Sequence, residues 1–126
     1  MKRGYKAEYE ARKKLGQKYL PQNIVKVAIG GATDFLVLEP KGNKVLKIVE
    51  VKTTKKNQWY PGEHDFKQFK EIVKFSRNHN IPIEYWIKIK GHWKLFSLKE
   101  IKKYFQNDKR RSFKSSKKRA KKRKFN

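Results

Sequence analysis

Val45-Leu46-Lys47-Ile48-Val49-Glu50-Val51-Lys52 is the most apolar run of the chain, and it carries an acid near its end. Its β-branched residues predict a strand over residues 44–52. Alternation puts Leu46, Ile48, Glu50 and Lys52 on one face, so a carboxylate and an ammonium two residues apart meet at one small site. Pro40-Lys41-Gly42-Asn43 supplies a turn ahead of this strand, and residues 34–39 form the strand before it. A hairpin folded about residues 41 and 42 pairs positions whose numbers sum to about 83 or 84, which sets Asp34 opposite Val49 or Glu50. Glu-x-Lys alone is also what an ordinary cross-strand ion pair looks like. Asp34 across the hairpin turns it into a candidate site.

Outward from that hairpin, a further strand is expected over residues 24–29, closed by Gly30-Gly31. A first helix is expected over residues 5–19, with Pro21 blocking its continuation. At about 100° per residue, its inward stripe reads Tyr5, Tyr9, Ala11, Leu15 and Tyr19. Glu8 lies within that stripe and Glu10 on the opposite, Lys-rich side. A glutamate on a packed face needs a partner. Arg12, one turn on, is one choice; the Asp34–Glu50 site is the other.

Downstream, a second helix fits residues 64–78, with Phe66, Phe69, Ile72, Val73 and Phe75 on or near one face. Pro82 opens a strand over 83–89, and Lys90-Gly91-His92 turns the chain into a short strand over 93–96. Ser97 with Glu100 reads as a capping box starting a last helix that contains Leu98, Ile101 and Phe105. The expected order is αβββαββα, a single α/β domain.

Charge is the dominant compositional feature: 35 Lys+Arg against 11 Asp+Glu in 126 residues, formally +24. Such a surface attracts polyanions, nucleic acid above all. By itself it fits a ribosomal or nucleoid coat protein as well as an enzyme. From Asp108 to Asn126 there are eleven Lys+Arg and one acid. The chain therefore divides into a domain over 1–106 and a basic tail over 107–126, expected to be disordered when free. The tail reads as a nucleic-acid-binding arm or as a solubilising extension. With no cysteine, disulfides and thiolate metal sites are excluded. No apolar run reaches the roughly 18–20 residues of a membrane span, and no signal peptide follows Met1. A soluble, cytoplasmic protein is expected, without a membrane partner.

Two or three carboxylates converging on one point suit a hard cation, Mg²⁺ with Mn²⁺ as a substitute. Such an ion would polarise a phosphate and activate water, and Lys52 would orient that water, help deprotonate it, or stabilise the pentavalent charge. His64, His79 and His92 lack metal-ligand spacing and receive no role.

Three segments carry a family resemblance: Gly4-Tyr5-Lys6-Ala7-Glu8, Thr33-Asp34-Phe35-Leu36-Val37 and Ile48-Val49-Glu50-Val51-Lys52-Thr53-Thr54-Lys55-Lys56. Together they resemble the archaeal Holliday junction resolvase family, within the PD-(D/E)xK, restriction-endonuclease-like superfamily. The similarity extends through Trp59-Tyr60-Pro61-Gly62 and Phe75-Ser76-Arg77 to Trp93, roughly residues 2–96. The resemblance implies a restriction-endonuclease-like domain with a mixed central sheet flanked by helices. It implies a homodimer that binds four-way DNA junctions and nicks opposing strands with Mg²⁺. By position, Asp34 and Glu50 would bind the metal, Lys52 would be the catalytic lysine, and Glu8 the helical acid completing the site. Three departures stand out. Thr33 replaces the proline before the aspartate. Lys26 stands where a basic residue of the first strand is often Arg. Gly30-Gly31-Ala32 replaces a segment in which some members carry a serine, which bears on junction selectivity more than on cleavage.

A nuclease that reads branch shape needs phosphate contacts over a wide surface. Lys2, Arg3 and Lys6, Lys26, and Lys55 and Lys56 are the candidates. Trp59 and Tyr60 could pack on DNA, bury at a dimer interface, or cap the core. Related nucleases that act on flaps, nicked duplex or foreign DNA fit the same residues, as does a non-catalytic nucleic-acid-binding module. Abundant Lys without Cys suits a thermophile, or a virus working inside its host cell, whereas the low Glu count argues against it.

Overall fold

The computed structural model describes residues 3–29, 32–41 and 44–105, and side chains over 5–27, 35–41 and 44–105. Lys2, the turn residues Gly30, Gly31, Gly42 and Asn43, and the tail expected over 107–126 lie outside the described residues, as do the side chains of Arg3 and Asp34.

The elements are α1 (Arg3–Gly16), a 3-10 turn (Pro21–Asn23), β1 (Ile24–Ile29), β2 (Ala32–Leu38), β3 (Val45–Thr54), α2 (Glu63–His79), β4 (Ile83–Ile89) and β5 (His92–Ser97). A last helix, α3, covers residues 98–105. The strands form one sheet in the order β1-β2-β3-β4-β5. β3 and β4 run parallel because α2 carries the chain back between them; every other neighbouring pair is antiparallel. The expected order of helices and strands holds, and the sheet is mixed.

Helices cover both faces. Phe69, Ile72 and Val73 of α2 and Ile101 and Phe105 of α3 pack on Ile48, Ile83, Tyr85, Ile87 and Ile89. On the opposite face, Ala11 and Leu15 of α1 meet Ile24, Phe35, Val37, Val49 and Trp86. Trp59 is buried against Tyr85, Tyr104 and Phe105, so it caps the core of the α2 face; Tyr60 beside it is exposed. The third helix starts as its capping box predicts: Ser97 N–H donates to Glu100 Oε1 at 3.0 Å and Glu100 N–H to Ser97 Oγ at 3.3 Å.

Three expectations about facing need correction. Tyr5 and Tyr9 are 60% and 58% exposed rather than inward, and the buried stripe of α1 is Ala7, Ala11 and Leu15. Small side chains let the helix lie close to the sheet, and the tyrosines instead flank lysines, with Lys26 Nζ 5.6 Å from the Tyr5 ring and Lys13 Nζ 5.6 Å from the Tyr9 ring. Glu10 reaches the sheet, where its Oε2 lies 2.6 Å from Lys88 Nζ on β4. Leu46 leaves the Ile48–Glu50–Lys52 face. A β-bulge shifts the register between Val37 and Leu38, so that Val37 opposes Lys47 while Leu38 opposes Val45. Val45 then packs with Ile48, and Leu46 is exposed. Among the described residues, no helix is long and apolar enough to cross a membrane.

Candidate active site

β3 runs through the middle of the sheet, with β2 antiparallel on one side and β4 parallel on the other. In the β2–β3 register Asp34 stands opposite Glu50, and on the other side Glu50 stands beside Tyr85. The hairpin sum read from the sequence is therefore met: 84 over Asp34 to Val37, and 83 beyond the bulge.

Glu50 is 2% exposed, the most buried acid among the described residues. Its Oε1 lies 3.3 Å from Lys52 Nζ. Its Oε2 is buried with no hydrogen-bond partner among the described residues. A buried, half-satisfied carboxylate costs roughly 1–3 kcal/mol or more, a sacrifice of stability typical of functional sites.

Lys52 is gripped from three directions. Besides Glu50, its ammonium lies 3.1 Å from Asp65 Oδ1 and donates to Gln68 Oε1 at 2.6 Å. Both partners come from α2, which the parallel crossover lays over this face of β3. Because Gln68 Oε1 accepts from Lys52, its amide nitrogen faces His64 Nε2 at 3.0 Å as the donor. His64 Nε2 is then the acceptor, and its ring proton sits on Nδ1. Asp65 also ties down the start of α2, where its Oδ2 accepts the Gly62 N–H at 2.9 Å.

The structure thus brings Glu50 and Lys52 together, with Asp34 next to Glu50 by register. It does not bring Glu8 to them. Glu8 Oε2 pairs with Lys26 Nζ at 3.1 Å, and α1 lies on the face opposite to α2. Neither an Arg12 pair nor a place beside Glu50 describes it. Lys26 is consequently neutralised in this arrangement. Lys55 and Lys56 are exposed just beyond β3, with Lys56 Nζ 5.3 Å from the Tyr60 ring.

Asp65, Gln68 and His64 are the neighbours that sequence reading did not connect to the site. The available signal was weak: a first-turn acid and, three residues on, an amide bordering the apolar face of a helix. Neither says which strand the helix will cover.

The donor set is compatible with a divalent cation. Glu50 offers an unshared carboxylate oxygen, Asp34 stands opposite, and Asp65 is within reach of the same lysine. Oxygen ligands of this kind suit a hard ion. Among the described residues alone, no group of three carboxylate or imidazole side chains could hold a metal ion.

Comparison with protein-family models, with curated proteins and with solved structures finds no match to this chain.

Proposed function

We propose that this protein is a metal-dependent DNA endonuclease of the PD-(D/E)xK type, and that its substrate is the four-way junction, cut by a homodimer on opposing strands. The observation that carries the reading is the half-satisfied Glu50 carboxylate, buried beside Lys52 and opposite Asp34 in the β2–β3 register. A structural ion pair would satisfy both carboxylate oxygens or keep the pair at the surface. Here one oxygen has no partner among the described residues, inside the domain.

Charge balance points the same way. Among the described residues, Glu50 and Asp65 against Lys52 leave one negative charge over, and Asp34 stands opposite Glu50 in register. A phosphodiester would be repelled unless a divalent cation came with it. Glu50 and Asp34 would hold that ion, Mg²⁺ or Mn²⁺, and Glu8, paired with Lys26, would not. A bound ion of this class polarises phosphate oxygens and activates water near neutral pH. Lys52 then orients the attacking water or stabilises charge developing on the phosphoryl oxygens, while Asp65 and Gln68 fix where its ammonium sits. The +24 charge draws the polyanion to the surface, and an intracellular setting follows from the DNA substrate.

The test is cleavage of a labelled four-way junction and a matched linear duplex, with Mg²⁺ or EDTA, by wild type and Glu50→Gln. Paired nicks in the junction that need both metal and Glu50 support the proposal. Equal cutting of duplex moves the substrate to another DNA class. Binding without metal-dependent cutting reduces the protein to a nucleic-acid-binding module.

A further inference from the structure

The end of β3 is lined on its outer side by a basic groove that the candidate active site does not use. Lys6 of α1, Thr53, Thr54 and Lys55 at the end of β3, and Lys90 and Gly91 in the β4–β5 turn surround a cavity of about 280 Å³. Lys90 N–H donates to Thr54 O at 3.1 Å and fixes the turn against the strand. Lys88 also lines the groove, but Glu10 neutralises it at 2.6 Å. Lys6, Lys55 and Lys90 have no carboxylate within ion-pair distance among the described residues. Three ammonium groups without an ion-pair partner among the described residues, one of them within the electrostatic reach of Glu10, thus line one cavity.

The turn itself adds an independent observation. Lys90 and Gly91 have φ of 51° and 83°, the type I′ geometry of a two-residue hairpin. The first position of such a turn favours Asn, Asp or Gly, because a side chain with φ above zero is strained. Lysine is a poor choice for the turn and a good one for the groove beneath it. An unfavourable backbone conformation retained beside a cavity is a reason to look for function there.

We infer that this groove seats a backbone phosphate of the nucleic acid, a few nucleotides from the phosphate at Glu50 and Lys52. Lys55 lies three residues beyond Lys52, roughly 10 Å at about 3.3 Å per strand residue. Thr54 shares the strand face of Lys52, while Thr53 takes the other with Lys88 and α1, so the groove lies at the strand end on the α1 side. A nucleic-acid strand that leaves the candidate active site around the end of β3 would reach it. The inference rests on the nuclease reading for its substrate, but its measurement does not depend on cutting.

The experiment is a salt titration of binding to labelled duplex and junction, without metal, by full-length protein. The variants are Lys6→Gln/Lys55→Gln/Lys90→Asn, the single Lys90→Asn, and a control triple, Lys70→Gln/Lys74→Gln/Lys102→Gln, on the groove between α2 and α3. Each phosphate contact contributes about 0.9 to the slope of log K against log salt. The groove triple is expected to lose roughly two to three contacts and at least 10-fold in affinity near 100 mM salt, and the control triple less than half of that. Lys90→Asn relaxes the turn while removing a charge, so it should melt at or above the wild-type temperature and still bind more weakly. Weaker binding in a protein that is no less stable cannot be a folding defect. Matching slopes for groove and control triples, an unchanged groove triple, or full affinity in Lys90→Asn would each overturn the assignment. If binding follows these expectations while no variant or wild type ever cuts, the groove stands and the catalytic reading falls.

Discussion

Lys52 of β3 donates to Gln68 Oε1 of α2 at 2.6 Å, across sixteen residues of sequence. Gln68 is buried, and its other end is fixed by His64. The lysine therefore cannot choose freely among its rotamers; its ammonium is held between Glu50, Asp65 and Gln68. Gln68→Met, which keeps length and volume but not the acceptor, is expected to lower kcat by about 10- to 100-fold and leave junction affinity within about twofold. Single-turnover cleavage at saturating protein, alongside a binding titration, separates the two. Unchanged single-turnover cleavage would show that Lys52 needs no such grip.

Asp65 serves the same lysine and the start of its own helix, and the two roles can be split. Asp65→Asn keeps an oxygen for the Gly62 N–H but removes the charge facing Lys52. Thermal stability should stay within about 1 kcal/mol of wild type, while cleavage falls. Asp65→Ala removes the cap as well, and its melting temperature should drop below that of the Asn variant. Equal melting temperatures for the two would show that the cap contributes little.

Glu50→Gln should trade in the opposite direction. Removing a buried charge whose second oxygen has no partner among the described residues relieves a desolvation penalty of roughly 1 kcal/mol or more, which in a domain of this size raises the melting temperature by a few degrees. Cleavage in Mg²⁺ should fall at least about 100-fold. A variant both inactive and less stable would identify Glu50 as a structural ion-pair partner.

How far the site was legible in the chain follows from how its parts are joined. The β2–β3 hairpin is local, so counting outward from Pro40-Lys41-Gly42-Asn43 narrows the partner of Asp34 to Val49 or Glu50, and the register takes Glu50. The Ser97–Glu100 cap was equally local. Leu46 was misplaced because one bulged residue reverses the alternation on its N-terminal side. Large apolar rings suggest burial at Tyr5 and Tyr9, whereas α1 packs through Ala7, Ala11 and Leu15 and leaves those rings for lysines. Asp65 and Gln68 join the site only through the β3–α2–β4 crossover, a relation between distant segments that no short-range pattern encodes.

Glu8 separates the reading by resemblance from the reading by geometry. Its carboxylate is 3.1 Å from Lys26, on the α1 side of the sheet. The pair is partly exposed, so it contributes about 0–1 kcal/mol to stability. Glu8→Gln should therefore keep metal-dependent cleavage within about threefold. It should also strengthen DNA binding at low salt, because Lys26 gains a free charge. A loss of cleavage comparable to that of Glu50→Gln would mean that Glu8 moves into the site when metal and DNA are present.

The pH dependence of stability should be set by a pair remote from the candidate active site. On the α1 face, Lys47 Nζ lies 2.9 Å from Glu84 Oε1, and Trp86 Nε1 donates to the same oxygen at 3.0 Å. Burial pushes the Glu84 carboxyl up, but the hydrogen bonds from Lys47 and Trp86 outweigh it and leave the group below its ordinary value near 4.5. For Lys47, burial acts downward most strongly, but the bond to Glu84, its charge and the contact with Tyr19 together outweigh it and leave the ammonium above its ordinary value near 10.5. A lowered carboxyl contributes stability that is present above its unfolded value and lost as pH falls through the folded one. A raised ammonium contributes stability that is present below its unfolded value and lost as pH rises through the folded one. Wild type should accordingly be flat between about pH 5 and 10 and lose stability on either side, as followed by melting temperature. Glu84→Gln should lower the plateau and flatten both limbs, since neither partner then titrates against the other. Limbs as steep as those of wild type in Glu84→Gln would assign the pH dependence to other pairs, Glu10–Lys88 first among them.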